Sequence, residues 1–120
     1  MSASQRRKGA AGEREAHKAL WEQLGEVVER RDLSQTRDGG GDIRIPRARV
    51  LVEVKRVERR AVPTWLAQAR ESAKAQGTGW SAVVMWRRNG SPWLAFWGIG
   101  EGYREMDVAE LCDWVRGRLP

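Results

Sequence analysis

Asp42, Glu53 and Lys55 are the residues whose types and spacing point most directly to chemistry in this chain. Asp42 stands in Gly39-Gly40-Gly41-Asp42-Ile43-Arg44-Ile45, and the other two stand in Val50-Leu51-Val52-Glu53-Val54-Lys55. Both segments alternate apolar and polar residues with period two, the pattern of a half-buried strand. The short linker Pro46-Arg47-Ala48-Arg49 suits a hairpin turn. Pairing Ile45 with Val50 sets Arg44 opposite Leu51, Ile43 opposite Val52 and Asp42 opposite Glu53. Opposed side chains in such a ladder have Cβ atoms about 5 Å apart. Lys55 shares the face of Glu53, roughly 7 Å further along. Ile43, Ile45, Val50, Val52 and Val54 make up the other face, which reads as a core face.

Two carboxylates held opposite each other repel, and the cost rises steeply outside bulk water. A divalent cation reverses that sign, because hard oxygen ligands are what Mg²⁺ binds. A lysine beside the pair is placed to orient or deprotonate an attacking water, so metal-assisted hydrolysis is the reaction these groups suit. The same residues also fit a solvated strand face on which an acidic pair is balanced by Arg44 and Lys55.

The elements that must position these groups begin with a helix from Gly9 to about Leu24. Ala16, Leu20 and Leu24 recur at fourfold spacing with Trp21 alongside, and the stripe runs back through Glu13. A carboxylate on an apolar face is costly without a partner. Glu13 therefore either snorkels from the first turn, where the helix dipole favours an acid, or reaches into a site. The cation that Asp42 and Glu53 require favours the second. Glu15 points elsewhere and reads as solvated. Gly9 and Gly12 are poor helix formers that permit close approach of another backbone or of DNA. His17, the only histidine, reads as a partly buried neighbour and not as a ligand.

Glu26-Val27-Val28-Glu29-Arg30 reads as a first, edge-like strand, and Arg31 to Gly41 as a polar loop ending in glycines. The glycines either let a sugar-phosphate backbone approach Asp42 or form a plain turn. Pro63 and Thr64 open a second helix that Gly77 ends, with Leu66, Ala69 and Ala73 as its buried stripe and Gln68 toward solvent. Strands follow from Trp80 to Trp86 and from Trp93 to Trp97, joined through Arg88-Asn89-Gly90-Ser91, where Asn-Gly is a strong hairpin signal. Their tryptophans read as core or as a self-association surface, not as base-stacking platforms. Asp107 with Glu110 makes a capping box for a last helix whose apolar face is Val108, Leu111 and Val115. The order is α-β-β-β-α-β-β-α, an α/β fold with a mixed sheet flanked by helices.

At 120 residues the chain is expected to be a single domain, residues 1–120, with a flexible basic tail over 1–8. The formal net charge of +6 is uneven: residues 1–60 carry fifteen lysines and arginines against ten acids, and residues 61–120 seven against six. The candidate site thus lies in the basic half, which points to a polyanionic partner. A lone cysteine, Cys112, excludes an internal disulfide and a cysteine metal cluster. No apolar run is long enough to span a bilayer, so the expected setting is a reducing cytoplasm.

Glu13 on a first helix, Asp42, and then Glu53-Val54-Lys55 resemble the PD-(D/E)xK nuclease superfamily, with Gly41 in place of the proline of its name. More narrowly, Lys8-Gly9-Ala10-Ala11-Gly12-Glu13-Arg14-Glu15 is similar to the opening of archaeal-type Holliday junction resolvases, which also occur in phages. The resemblance covers roughly residues 7–85. It implies a restriction-endonuclease-like sheet and a metal-dependent DNA endonuclease of a bacterial, archaeal or phage-infected cell, selective for four-way junctions. In that reading Asp42, Glu53 and the Val54 carbonyl hold Mg²⁺ or Mn²⁺, Glu13 completes the shell, and Lys55 acts on the nucleophilic water. Arg6, Arg7, Lys8, Arg30, Arg31, Arg37, Arg44 and Arg56 would hold phosphates, with Ser34 and Gln35 in the DNA-contacting loop. That loop looks closer to restriction-type members, which keeps a restriction-like or nicking enzyme on duplex DNA as an alternative. A non-catalytic DNA-binding module of the same fold is another. The resemblance also implies a homodimer, for which the tryptophan-bearing strands are the candidate surface.

Overall fold

In the structure, a computed structural model, backbone is described for residues 3–29 and 40–120, and side chains for residues 9–29 and 43–120. Helix α1 spans Ala3–Leu24 and is followed by a 3-10 turn over Gly25–Val27. Strands β1 (Gly40–Ile45) and β2 (Val50–Lys55) form a hairpin closed by a second 3-10 turn, Pro46–Ala48. Helix α2 (Val62–Gln76) leads to β3 (Ser81–Trp86), β4 (Leu94–Ile99) and β5 (Gly102–Asp107), and α3 (Val108–Arg116) closes the chain. The five strands form one sheet in the order β1-β2-β3-β4-β5. Only β2 and β3, the pair joined through α2, run parallel; the other neighbours are antiparallel.

Alternation along the strands sorts apolar residues onto two faces, and each face has its own helical cover. Ile43, Ile45, Val50, Val52, Val54, Val83, Met85 and Ala95 pack with Ala16 and Leu20 of α1 and with Leu111, Cys112 and Val115 of α3. Leu51, Ala82, Val84, Trp86 and Phe96 pack on the opposite side with Val62, Trp65, Leu66, Ala69 and Ala73 of α2. The expected stripe of α2 is therefore its buried stripe, and Gln68 is exposed. A buried leucine or phenylalanine is worth about 1.5–3 kcal/mol, so these two layers hold the sheet between its helices. All seven tryptophans pack in or against these two cores, Trp65, Trp86 and Trp93 buried and Trp21, Trp80, Trp97 and Trp114 partly so. Among the described residues no helix is long and apolar enough to cross a membrane.

Two elements differ from the sequence reading, so the order among the described residues is α-β-β-α-β-β-β-α. The described part of the segment expected as a first strand, Glu26 to Arg30, is instead a 3-10 turn over Gly25–Val27 followed by one backbone hydrogen bond to β1. Gly25 takes φ +66°, which ends α1, and Val28, at 1% exposure, plugs the core. The Glu29 amide donates to the Arg44 carbonyl at 2.8 Å. Arg30 lies outside the described residues. With only two adjacent apolar residues, the segment has a plug and no alternation to sustain a ladder. Conversely, β5 was not expected, because Gly102-Tyr103-Arg104-Glu105 is exposed and only Met106 turns inward. An edge strand that buries one residue carries almost no periodic signal.

Candidate functional site

The hairpin register is the one the alternation predicts: Asp42 pairs with Glu53, Ile43 with Val52, Arg44 with Leu51 and Ile45 with Val50. It is set by the turn. Pro46 fixes φ at the first turn position, and Arg49 closes it with φ 53° and ψ 50°, its amide donating to the Pro46 carbonyl at 3.0 Å. A one-residue slip would turn all five core residues of the hairpin toward the other face, so the same burial that holds the sheet holds Asp42 opposite Glu53.

Glu53 and Lys55 lie on the α2 side of the sheet, near its end. The Lys55 ammonium is 3.6 Å from a Glu53 carboxylate oxygen, and each side chain is only 16% exposed. Their parallel neighbours on β3 are Val84 and Trp86. The ladder runs one residue past the strand ends, with the Arg87 amide donating to the Lys55 carbonyl at 3.1 Å. The carboxylate and the amine therefore stand on a rigid central strand, half out of water, where their interaction is stronger than at an open surface.

Glu13 is the buried charged side chain of the described residues, at 3% exposure, on the α1 stripe that continues through Ala16 and Leu20. It comes from the helix covering the opposite face. The two meet at the strand end: Gly12 packs so closely on Arg56, the residue after Lys55, that a Cβ there would lie 2.6 Å from the Arg56 Cβ. This close approach is the use that the glycine at 12 serves. The side chain of Asp42 lies outside the described residues. Among the described residues no three His, Cys, Asp or Glu side chains gather in a metal-holding group. The donor types at this end of the sheet, carboxylates beside an amine with no thiolate or imidazole, suit a hard divalent cation.

Of the arginines expected to hold phosphates, the described two are already engaged. Arg44 donates to both carboxylate oxygens of Glu29, at 3.0 and 3.2 Å, and lies over the Trp80 ring. Arg56 is 12% exposed and stands 3.6 Å from Glu15. Arg30, Arg31, Ser34, Gln35 and Arg37, and the side chains of Arg6, Arg7 and Lys8, lie outside the described residues. His17 is a partly buried neighbour, as expected: its Nε2 is 3.0 Å from the Glu29 carbonyl, and its ring stacks on Trp21.

Glu15 departs from the expectation of a solvated side chain. It accepts a hydrogen bond from Arg87 Nη1 at 3.0 Å and faces the Arg56 guanidinium. It lies off the apolar stripe of α1, so periodicity assigns it to water. The one available signal was the run of two arginines, Arg87-Arg88, closing a strand, since a half-buried guanidinium requires an acceptor.

Comparison with protein families, with curated proteins and with solved structures finds no match in any of the three.

Proposed function

We propose that this chain is a metal-dependent nuclease of the restriction-endonuclease-like class, hydrolysing phosphodiester bonds in DNA. Within that class, the similarity of residues 8–15 to the resolvase opening favours a Holliday junction resolvase that makes paired nicks at a four-way junction. The observation that carries the reading is the Asp42–Glu53 register with the Lys55 amine 3.6 Å from Glu53. Asp42, Glu53 and the Val54 carbonyl, with Glu13, are the groups that would hold Mg²⁺ or Mn²⁺. The cation supplies charge stabilisation at the scissile phosphate and lowers the pKa of water. Lys55 orients the attacking water and shields it from the Glu53 charge. The strand pair sets the backbone of Asp42 opposite Glu53 and Lys55 beside Glu53 before substrate arrives, and preorganisation of this kind is where catalysis gains most. Basic residues of the N-terminal half hold the phosphate backbone. A junction has two strands to cut, so a homodimer fits the substrate. Ile99 and Tyr103, 51% and 41% exposed, are the large apolar residues most open on β4 and β5 for such a contact.

The test incubates the protein with labelled four-way junctions, flaps and linear duplex, with Mg²⁺ or with EDTA. Paired symmetric nicks on junctions alone, lost in EDTA, are expected. Asp42→Asn and Lys55→Ala should each abolish cleavage and largely spare binding, because many phosphate contacts share the affinity. Cutting of plain duplex would move the assignment to a restriction-like or nicking enzyme. Binding without cleavage, unchanged in both variants, would leave a non-catalytic DNA-binding module. Light scattering at micromolar protein reads the oligomeric state, and a monomer would remove the dimer.

A further inference from the structure

Glu15 is a carboxylate shared by two guanidiniums from two different strand ends. Arg87, directly after β3, donates to its Oε2 at 3.0 Å, and Arg56, directly after β2, places Nε 3.6 Å from the same oxygen. Arg87 is itself fixed, with Nε donating to the Ser91 carbonyl at 2.8 Å and its amide bonded to the Lys55 carbonyl at 3.1 Å. Arg56 is fixed by burial, since its side chain is 12% exposed and its stem lies under Gly12. Its Nη1 is buried with no hydrogen-bond partner among the described residues. Glu15 thus ties α1 to the ends of two neighbouring strands, at the point where the backbone of α1 sits directly on β2. Glu13 lies two residues before it on the same helix, and Lys55 one residue before Arg56.

We propose that Glu15 is a positioning residue for the metal shell: through Arg56 and Arg87 it sets the seat of α1 on β2, and thereby the placement of Glu13 relative to Glu53 and Lys55. This rests on the nuclease reading and adds to it a residue outside the Asp-Glu-Lys set. The physical basis is that the contact is charged, part-buried and bidirectional. The Arg87 bond is a charge-assisted hydrogen bond, which holds geometry better than a neutral one, and Arg56 adds an ion pair at 3.6 Å. A glycine contact, by contrast, fixes distance but not rotation. Removing the carboxylate also leaves two guanidiniums facing each other, one already short of an acceptor, and their repulsion pushes the helix and the strand ends apart. Groups that orient metal ligands from behind typically affect metal affinity by about 10–100-fold.

The experiment titrates Mn²⁺ into the metal-free full chain by electron paramagnetic resonance, for wild type, Glu15→Gln, Glu15→Ala and Glu15→Asp. Circular dichroism melts record how much folded protein each titration contains. In the expected result, Glu15→Ala and Glu15→Gln bind Mn²⁺ about tenfold or more weakly while still folded at the assay temperature. Glu15→Asp, which keeps the charge, recovers part of the loss. Arg87→Ala, which removes one of the two tethers and leaves every proposed ligand in place, weakens binding in the same direction. Folded Glu15 variants with wild-type Mn²⁺ affinity would overturn the proposal and leave Glu15 a purely structural ion pair. Wild type that binds no Mn²⁺ and cuts no DNA would instead overturn the nuclease reading, and this inference with it. If Glu15→Ala does not fold, Glu15→Gln and Glu15→Asp, closer in size, decide the matter by the same comparison.

Discussion

Replacing Gly12 by alanine separates packing from helix propensity at the point where α1 meets β2. In an exposed helix interior the change gains about 0.8–1.0 kcal/mol. Here the new Cβ would lie 2.6 Å from the Arg56 Cβ and 3.0 Å from its Cγ. Carbon atoms pack at about 3.5–4.0 Å, so helix and strand must part by roughly 1 Å. The atom that has to move is a Cβ fixed to the backbone of β2, not the free end of a side chain. Overpacking of this kind costs about 1–3 kcal/mol, which leaves a net loss of about 1 kcal/mol and a Tm lower by roughly 4 °C. A shift of that size at a catalytic centre can cost about a hundredfold in rate, so the proposed DNA cleavage should fall much further than stability. Gly98→Ala is the companion measurement. Its Cβ would fall on the Arg70 guanidinium, the far end of a flexible chain that can swing away, so that variant should melt at or above wild type. Differential scanning calorimetry reads both. A Gly12→Ala protein that melts several degrees higher than wild type would refute the claim that α1 is seated directly on Arg56.

Asp107→Ala removes an N-cap whose Oδ1 accepts from the Glu110 amide at 2.7 Å, and should cost about 1 kcal/mol, read as a lower denaturant midpoint with an unchanged slope. Cys112 is fully buried, and burial pushes its thiol pKa up. It should resist a disulfide exchange reagent at pH 8 until denaturant is added. Because the unfolded thiol ionises first, the stability tied to Cys112 is fully present below its ordinary pKa of about 8.5 and is lost as pH rises through the higher folded value. Urea titrations at pH 7.5 and 9.5 should show that decline, and Cys112→Ala should flatten it.

The parts of the fold that could be read in advance are those where one residue type had one physical reason to be there. Alternation in 43–45 and 50–54, together with the short linker that starts at Pro46, leaves a single register in which both faces are satisfied, and that register is found. The capping box of Asp107 and Glu110 works the same way, because each side chain satisfies the other's backbone amide. The misread stretches are those with weak or shared signals. Val27-Val28 looks like a strand fragment but serves as a plug beneath α1 and β1, while β5 hides its strand character behind exposed charges. At the site, carboxylates and a lysine announce themselves by type. Glu15 does not, because its role depends on which strand ends lie under a face of α1 that looks polar, and that is a tertiary fact. Arg44 was legible as a cation but not as one held by Glu29, for the same reason.

Each strand of the sheet lies beside its predecessor in the chain, with just one helical excursion, between β2 and β3. Such a layout lets the molecule assemble as two local pieces, a hairpin on one side and a three-strand meander on the other, each closed by short turns and low in loop entropy. On contact-order grounds, the docking of these pieces along β2 and β3, as α2 folds down over them, is expected to be the slower event. The register that sets Asp42 opposite Glu53 belongs to the hairpin piece, whereas Trp86, the β3 neighbour of Lys55, joins it only when the two pieces dock.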